Sequence, residues 1–279
     1  MMNSMRIDAH QHFWNYDPQK HIWMNEEMKV LKTNFLPKDL FPNLKNCLLD
    51  GCVAIQANQA EIENEFLLGL SAQYDFIKGI VGWVDLKAKN IEQRLEYYQQ
   101  FHKMKGFRHV IHDEIELDFM NGKDFMNGIS HLKKYNYTYD ILIFEKHLSN
   151  TLSLVKAFPE QAFVIDHIAK PQIKQKIIGD WGKYLKEIAL YKNVYCKISG
   201  MVTEADWQAW RKDDFTKYLD IIVEAFGIER IMYGSDWPVC QLAALYAEQY
   251  DIVEHYFSSF GQTEQDKFFG RNASHFYNL

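Results

Sequence analysis

The stretch IDAHQHFW, residues 7–14, starts as a short apolar run and ends in two histidines and two aromatic residues. An open sheet that binds nucleotides usually carries a glycine-rich turn after its first strand, and this stretch contains no glycine. On a strand His10 and His12 point to the same face, because side chains alternate with a period of two. Two imidazoles on one face can hold a divalent metal ion, or they can simply form hydrogen bonds at a strand end.

Seven further apolar runs follow, each short enough for a buried parallel strand. Amphipathic segments typical of helices lie between them, at residues 62–74, 90–104, 181–191 and 215–227. Eight strands alternating with helices over about 250 residues predict a (β/α)8 TIM barrel with its active site at the C-terminal ends of the strands. We expect a single such domain over residues 1–279. The eight runs are MRIDAHQHF, CVAIQA, IVGWVDL, MKGFRHVIH, YDILIF, AFVIDHI, VYCKISG and IMYGSDWP.

The composition is typical of a globular protein: 47% of the 279 residues are hydrophobic, 24% are charged, and the formal net charge is −6. This acidic balance disfavours nucleic acid and anionic membranes as partners. The first ten residues contain no apolar signal-peptide core, and no run approaches the about 18 apolar residues of a membrane span, so we expect a cytoplasmic protein. Four cysteines without a C-x-x-C pair predict buried free thiols. No sequence pattern favours a particular oligomeric state.

Polar residues cluster at the C-terminal ends of the predicted strands, and in a barrel these ends share one rim. Asp236 follows the last run and could bind a metal ion, activate water, or do both. It could instead cap the next helix, because an Asp shortly before a proline, here Pro238, is a common helix start. His167 ends the sixth run and is either a proton shuttle or a hydrogen-bonded structural residue.

The segment KGFRHVIHDE places two further polar side chains at this rim. By strand alternation Arg108 and His112 share a face, and Arg108 could bind a carboxylate or hydroxyls, or polarise a carbonyl. The alternative is an ion pair inside the barrel, with Asp85 as a candidate partner. Two tryptophans, Trp14 and Trp83, could offer aromatic faces to a sugar-like ring or belong to the core.

Six motifs occur in an order that resembles the amidohydrolase-related sugar lactonases, the branch with L-fucono- and L-rhamnono-lactone hydrolases. The resemblance runs from residue 6 to the end of the chain, and the family fold is a (β/α)8 barrel. It implies a hydrolase of carbohydrate catabolism that opens a sugar lactone. The motifs are IDAHQHFW, GWVDL, RHVIHDE, DHIAKP, CKISGMVTEADW and YGSDWPVC.

The resemblance also implies roles for the polar residues. His10 and His12 match the first-strand metal pair of the wider superfamily. Asp236 matches its last-strand aspartate, which binds metal and activates water. His167 matches a histidine that binds metal or contacts the reacting carbonyl. One divalent ion, with zinc the first choice, is the expected cofactor.

The chain departs from the superfamily in the parts that complete a metal site. Binuclear members carry a carboxylated lysine at the end of the fourth strand, where this chain has Arg108 and His112; these two would lie against the substrate. The fifth-strand histidine of many mononuclear members is missing from YDILIFEKH, although Glu145 and His147 follow closely. A two-metal site is therefore not expected, and catalysis without metal stays open, as in related lactonases.

The sequence thus predicts an enzyme that hydrolyses a sugar-acid lactone, of the L-fucono-1,5-lactone or L-rhamnono-lactone type, to the aldonic acid. Water activated by Asp236 would attack the lactone carbonyl, and the oxyanion would be stabilised by a metal ion or by neighbouring side chains. The alternatives are a metal-dependent decarboxylase of the same superfamily and a barrel that binds a sugar acid without catalysis.

Overall fold

Eight parallel strands form one sheet in the order β1 to β8. Two backbone hydrogen bonds join its edges: Asp236 N–H to the His10 carbonyl at 2.8 Å and His12 N–H to the Trp237 carbonyl at 2.7 Å. The predicted (β/α)8 barrel is confirmed. The structure, a computed structural model, describes residues 5–279. The strands are β1 (Ile7–Gln11), β2 (Gly51–Ile55), β3 (Ile77–Gly82), β4 (Met104–Val110), β5 (Thr138–Leu142), β6 (Phe163–Ile165), β7 (Val194–Ile198) and β8 (Ile231–Tyr233).

Helices lie between successive strands and after β8, and the segments predicted as helical at residues 62–74, 181–191 and 215–227 are confirmed. The segment 90–104 forms a shorter helix, because the chain turns after Tyr98 and Met104 already begins β4. The helices are α1 (Pro37–Asn46), α2 (Glu61–Gln73), α3 (Ile91–Tyr98), α4 (Lys123–Leu132), α5 (Leu148–Ala157), α6 (Trp181–Ile188), α7 (Asp213–Phe226), α8 (Tyr246–Phe257), α9 (Gln262–Asp266) and α10 (Asn272–Tyr277).

The interior of the barrel has an apolar floor beneath a charged layer. The C-terminal helix α10 contributes Phe276 and Tyr277 to the floor, together with strand residues of β1, β2, β3, β6 and β8. Arg108 pairs in register with Asp140, and Asp140 with Val164 of the floor. Neighbours in register point the same way, so both charged side chains face the interior. The strand residues of the floor are Ile7, Ala9, Val53, Ile55, Val81, Val164 and Met232.

Strand β1 is irregular where it approaches the site, since its register with β2 shifts between Asp8 and Gln11. Asp8 accepts a hydrogen bond from Tyr246 of α8, on the outside of the sheet. Two residues later His10 contacts Asp166 on the inside. The shift explains how one short strand presents polar groups to both sides.

The four cysteines are free and buried, as predicted. Among residues 5–279, no helix combines the length and the apolar character that a membrane crossing requires. The start of the chain that bears on a signal peptide, residues 1–4, lies outside the described residues.

Candidate active site

Four side chains meet at the C-terminal rim, where the bonds between β1 and β8 close the barrel. The Nε2 atoms of His10 and His12 are 3.3 Å apart. The Oδ1 atom of Asp236 lies 3.5 Å from His12 Nε2 and 3.8 Å from the Nε2 atoms of His10 and His167. All four side chains are buried, with at most 5% of any residue exposed. We call these four residues the cluster.

The other nitrogen of each imidazole is held by a neighbour, which orients the rings. His12 Nδ1 is 2.9 Å from the Ile55 carbonyl, and because that oxygen can only accept, His12 Nδ1 donates. His167 Nδ1 is 2.9 Å from Ser199 Oγ. His10 Nδ1 lies 3.2 Å from Asp166 Oδ1. The three Nε2 atoms are thereby turned towards the carboxylate of the cluster.

Two members of the cluster have left-handed backbone conformations. Asp236 has φ 57°, and His167 begins a run of four left-handed residues, 167–170, none of which is glycine. Such residues are strained, and strain of this kind concentrates at functional sites. The buried indole of Trp181 donates a hydrogen bond to the Ile168 carbonyl at 2.7 Å and thereby supports the turn.

Gly200 leaves room for the cluster. It has φ 58°, and a Cβ at this position would lie 2.5 Å from His167 Nδ1 and 3.1 Å from Asp236 Oδ2. Any larger residue would therefore push against both functional groups. The absence of a side chain at Gly200 thus makes space for two side chains of the site.

The charges of the cluster keep Asp236 ionised at neutral pH. Burial alone would raise the pKa of Asp236, but the neighbouring His167, His12 and His10 outweigh it and hold this pKa below its usual value. Burial lowers the pKa of His167 to about 4, against the opposing influence of nearby carboxylates. Near pH 7 Asp236 is therefore an anion beside a neutral His167, so the carboxylate can accept a proton.

A buried ionic layer lies directly beneath the cluster. Lys197 Nζ is 2.5 Å from Asp140 Oδ2 and 3.1 Å from Asp166 Oδ1. Arg108 Nη1 is 3.1 Å from Asp166 Oδ2. Asp140 also accepts a hydrogen bond from the Tyr277 hydroxyl at 2.8 Å. Two cations and two carboxylates thus link the floor of the barrel to His10, which Asp166 contacts.

The structure brings Arg108 into this site and places His112 at its edge. The alternative of an ion pair inside the barrel holds for Arg108, but the candidate partner Asp85 is wrong: Asp85 is exposed, and the partner is Asp166. Strand alternation was also the wrong argument for His112, because β4 ends at Val110 and His112 lies in a following 3-10 turn. Its ring stacks on Phe144, with 4.6 Å between centroids.

The two tryptophans lie in different surroundings. Trp14 is 2% exposed, donates its indole N–H to the Thr33 carbonyl at 2.9 Å and packs edge-on against Phe35. This describes a core residue, the alternative left open for it. Trp83 is half-buried just beyond β3 and donates to His109 Nδ1 at 3.3 Å. It thus stands near the rim, and its contact with substrate stays a prediction.

A cavity of about 1090 Å³ opens at the same rim, between the loops that follow β5, β6 and β7. Phe144, Lys170, Glu204 and Trp207 are among the residues that line it. Lys170 Nζ is 2.6 Å from Glu204 Oε1. None of the four cluster residues lines this cavity, and Lys170, which ends the left-handed turn that starts at His167, connects the two along the chain.

Known proteins share this architecture along the whole chain. The family model described as Amidohydrolase matches residues 7–279. The chain belongs to the amidohydrolase family. It is 35% identical over 289 residues to the L-fucono-1,5-lactonase of Burkholderia multivorans (strain ATCC 17616 / 249), across 100% of this chain and 97% of that protein. The predicted family membership is confirmed, and with it the prediction that the chain is a hydrolase.

Two further relatives match this chain over nearly its whole length. The L-fucono-1,5-lactonase of Burkholderia ambifaria (strain ATCC BAA-244 / DSM 16087 / CCUG 44356 / LMG 19182 / AMMD) is 29% identical over 283 residues, 99% of this chain and 96% of that protein. The crystal structure of a Burkholderia multivorans amidohydrolase with bound zinc superimposes with a TM-score of 0.94 and 35% identity, over 99% of this chain and 100% of that chain.

The donor atoms of this amidohydrolase fit a divalent metal ion. Around a tetrahedral ion with bonds of about 2.0–2.1 Å, ligand atoms stand roughly 3.4 Å apart. The Nε2 atoms of His10 and His12 and Asp236 Oδ1 are separated by 3.3, 3.5 and 3.8 Å. The bond from His12 to the Ile55 carbonyl is the type of outer contact that orients metal-binding histidines. The three residues form a donor triangle for one ion, whereas His167, the fourth predicted ligand, lies outside this triangle; that the site binds a metal ion stays a prediction.

Sequence reasoning gave no role to Lys197 and did not consider Asp140, although both lie at the centre of the site. A signal was present, because each is a charged residue inside a short apolar run, YDILIF or VYCKISG. A charge in a strand that is buried on both faces requires a partner. Two such runs of opposite charge therefore pointed to an ion pair inside the barrel.

Proposed function

We propose that this amidohydrolase opens a sugar-acid lactone, of the L-fucono-1,5-lactone or L-rhamnono-lactone type, to the corresponding aldonic acid. The observation that carries the proposal is the ionised, buried Asp236 with three imidazole Nε2 atoms within 3.8 Å. The whole-length likeness to L-fucono-1,5-lactonase supports the choice of substrate class.

In the proposed reaction Asp236 accepts a proton from a water molecule as the water oxygen attacks the lactone carbonyl carbon. The negative charge moves to the carbonyl oxygen, where the Arg108 guanidinium and the His167 imidazole stabilise it. The bond between the former carbonyl carbon and the ring oxygen then breaks. Asp236 returns its proton to the leaving ring oxygen, so that the products are a carboxylic acid and a hydroxyl group.

His10, His12 and Asp236 would hold a divalent ion, zinc for preference, and such an ion would supply a Lewis acid for the carbonyl oxygen. The chain's own residues perform the proton transfers in either case. Lactones are activated esters, and Arg108 already provides a permanent positive charge beside His10, at 3.2 Å from His10 Nε2. We therefore propose that metal increases the rate but is not required.

At the entrance, His112 and Trp83 are proposed to contact the hydroxyl-bearing face of the substrate. Burial lowers the pKa of His112 to about 3, so this imidazole is neutral near pH 7. A neutral ring can both donate and accept hydrogen bonds, which suits sugar hydroxyls. Trp83 offers a flat apolar face.

The test is a pH-indicator assay of aldono-lactones, with and without chelator, on the wild type and two variants. Asp236→Asn should lower kcat/KM by at least about 100-fold, the range for a lost general base. Asp85→Asn is the matched control, because Asp85 is an exposed carboxylate beyond β3. Thermal unfolding checks that both variants fold.

Near-normal turnover by Asp236→Asn would remove this residue as the base. Failure of the wild type on every lactone would refute the proposed substrate class. If an aromatic or unsaturated acid released carbon dioxide and chelation stopped the reaction, decarboxylation would replace hydrolysis as the function. Tight binding of an aldonic acid without turnover of its lactone would instead indicate a binding protein.

A further inference from the structure

The lone pair of His10 Nε2 is approached by two different groups. Arg108 Nη1 lies 3.2 Å from it, within hydrogen-bond distance. The same atom is a corner of the donor triangle, 3.3 Å from His12 Nε2 and 3.8 Å from Asp236 Oδ1. An imidazole nitrogen has one lone pair in the ring plane, so it accepts one hydrogen bond or binds one metal ion.

The contacts on the other side of His10 determine where its proton resides. His10 Nδ1 lies 3.2 Å from Asp166 Oδ1 and 3.3 Å from Lys197 Nζ. Lys197 has the closer carboxylate partner Asp140, at 2.5 Å, and Asp166 at 3.1 Å. Lysine and arginine only donate hydrogen bonds, so one neutral tautomer of His10 cannot accept both from Lys197 at Nδ1 and from Arg108 at Nε2. In the tautomer protonated at Nδ1, that proton faces Asp166 Oδ1 and Lys197 keeps its two carboxylates. This tautomer leaves Nε2 as an acceptor.

Burial and two neighbouring residues hold Arg108 beside His10 Nε2. Its Nη2 donates to the Gln56 carbonyl at 2.5 Å, its Nη1 lies 3.1 Å from Asp166 Oδ2, and only 4% of the residue is exposed. An arginine guanidinium stays charged throughout the physiological pH range. A fixed positive charge therefore lies beside the donor triangle and occupies one of its three donor atoms.

We propose that Arg108 and a divalent metal ion compete for Nε2 of His10, and that Arg108 thereby sets the metal affinity of this chain. In the arginine-bound state the guanidinium hydrogen-bonds His10. In the metal-bound state Arg108 turns away from His10 and keeps its contacts with Asp166 and Gln56. The proposal rests on the donor triangle, and it does not depend on which lactone is hydrolysed.

The test measures zinc affinity by competition with a chromophoric chelator. Arg108→Met removes the guanidinium and keeps an unbranched apolar side chain, and it should bind zinc at least about tenfold more tightly than the wild type, in the range of outer-shell effects on metal sites. Arg108→Gln is the second variant, in case the methionine variant does not fold. Cobalt absorption spectra should show the tetrahedral ion at lower cobalt concentration in both variants.

Lys170→Met is the control for charge alone. Lys170 lies on the same rim and its charge acts on His167, but Glu204 holds its ammonium. The control should change zinc affinity by less than about threefold, since a positive charge that does not occupy a donor atom has the weaker effect. An equal gain in zinc affinity in Lys170→Met and Arg108→Met would overturn the proposal and indicate long-range electrostatics instead.

Three other outcomes would also overturn it. The first is that the arginine variants bind zinc no more tightly than the wild type, and the second is that no variant binds zinc at all. The third is a zinc-loaded crystal structure of the wild type in which Arg108 Nη1 still hydrogen-bonds His10 Nε2. Because affinity is read without substrate, a failed lactone assay refutes the proposed function and leaves this result standing.

Discussion

Replacing Lys197 with methionine is expected to destabilise the fold by about 3–5 kcal/mol, the cost of breaking a buried ion pair from one side. Lys197 and its partners Asp140 and Asp166 are fully buried. Methionine occupies most of the space of the lysine stem, so little of the loss would come from a cavity. The effect should arise from the charge that the substitution leaves behind.

The structure indicates which carboxylate is left uncompensated. Asp166 keeps Arg108 at 3.1 Å after the substitution, whereas Asp140 keeps only the hydrogen bond from the Tyr277 hydroxyl. Adding Asp140→Asn should therefore recover at least half of the lost stability. Asparagine removes the stranded charge and still offers Tyr277 an acceptor oxygen.

Urea unfolding followed by circular dichroism measures these free energies, with the midpoint compared at a common slope. Lys186→Met is the matched control, because Lys186 pairs with Glu224 at 2.8 Å on the surface, with 48% and 67% of the side chains exposed. It should cost less than about 1 kcal/mol. The reasoning would be refuted if Lys197→Met cost no more than this control, or if Asp140→Asn made the lysine variant less stable still.

Two further predictions concern stability. Gly128→Ala should lower the free energy of unfolding, because the alanine Cβ would overlap the Leu86 carbonyl, although alanine is the better helix former by about 1 kcal/mol. Gly69→Ala, with open space around the new Cβ, should raise the free energy of unfolding by up to about 1 kcal/mol. Urea unfolding in which both substitutions change stability in the same direction would contradict the packing argument. Burial and nearby positive charges lower the pKa of His112 to about 3, so the unfolded chain takes up a proton first and stability falls as pH drops below about 6.5. Between pH 8 and pH 5 the wild type should lose about 2 kcal/mol of stability that the His112→Phe variant retains. Parallel curves of unfolding free energy against pH for the two proteins would exclude this effect of His112.

Most of the barrel could be predicted because its signals are local. Each apolar run is a strand, and the predicted helices needed only their own periodicity. The rim position of His167 and Asp236 followed from the rule that parallel strands end at one edge. The errors arose where the chain leaves regular geometry: His112 lies past the end of β4, and the segment after Tyr98 turns before β4 begins.

The partners of the charged residues required knowledge of the whole barrel. Asp85 was the candidate partner of Arg108 in the ion-pair alternative, and the structure pairs Arg108 with Asp166, 58 residues away. Lys197 and Asp140 lie 57 residues apart and on strands that are not neighbours. Such contacts cross the barrel interior, and strand alternation specifies which residues point inwards but not which of them meet.

The backbone conformation of the site could not be predicted from residue types. His167 and Asp236 are non-glycine residues with positive φ, a state that costs about 1–2 kcal/mol per residue and that residue type does not predict. Gly200 indicates this backbone constraint, because the absence of a side chain there leaves room for both His167 and Asp236. The strain is tolerated because the fold holds the turn from outside, through the Trp181 indole on the Ile168 carbonyl. The geometry of the site therefore depends on a core residue outside the cluster, and substitutions at Trp181 should disturb the turn that positions His167.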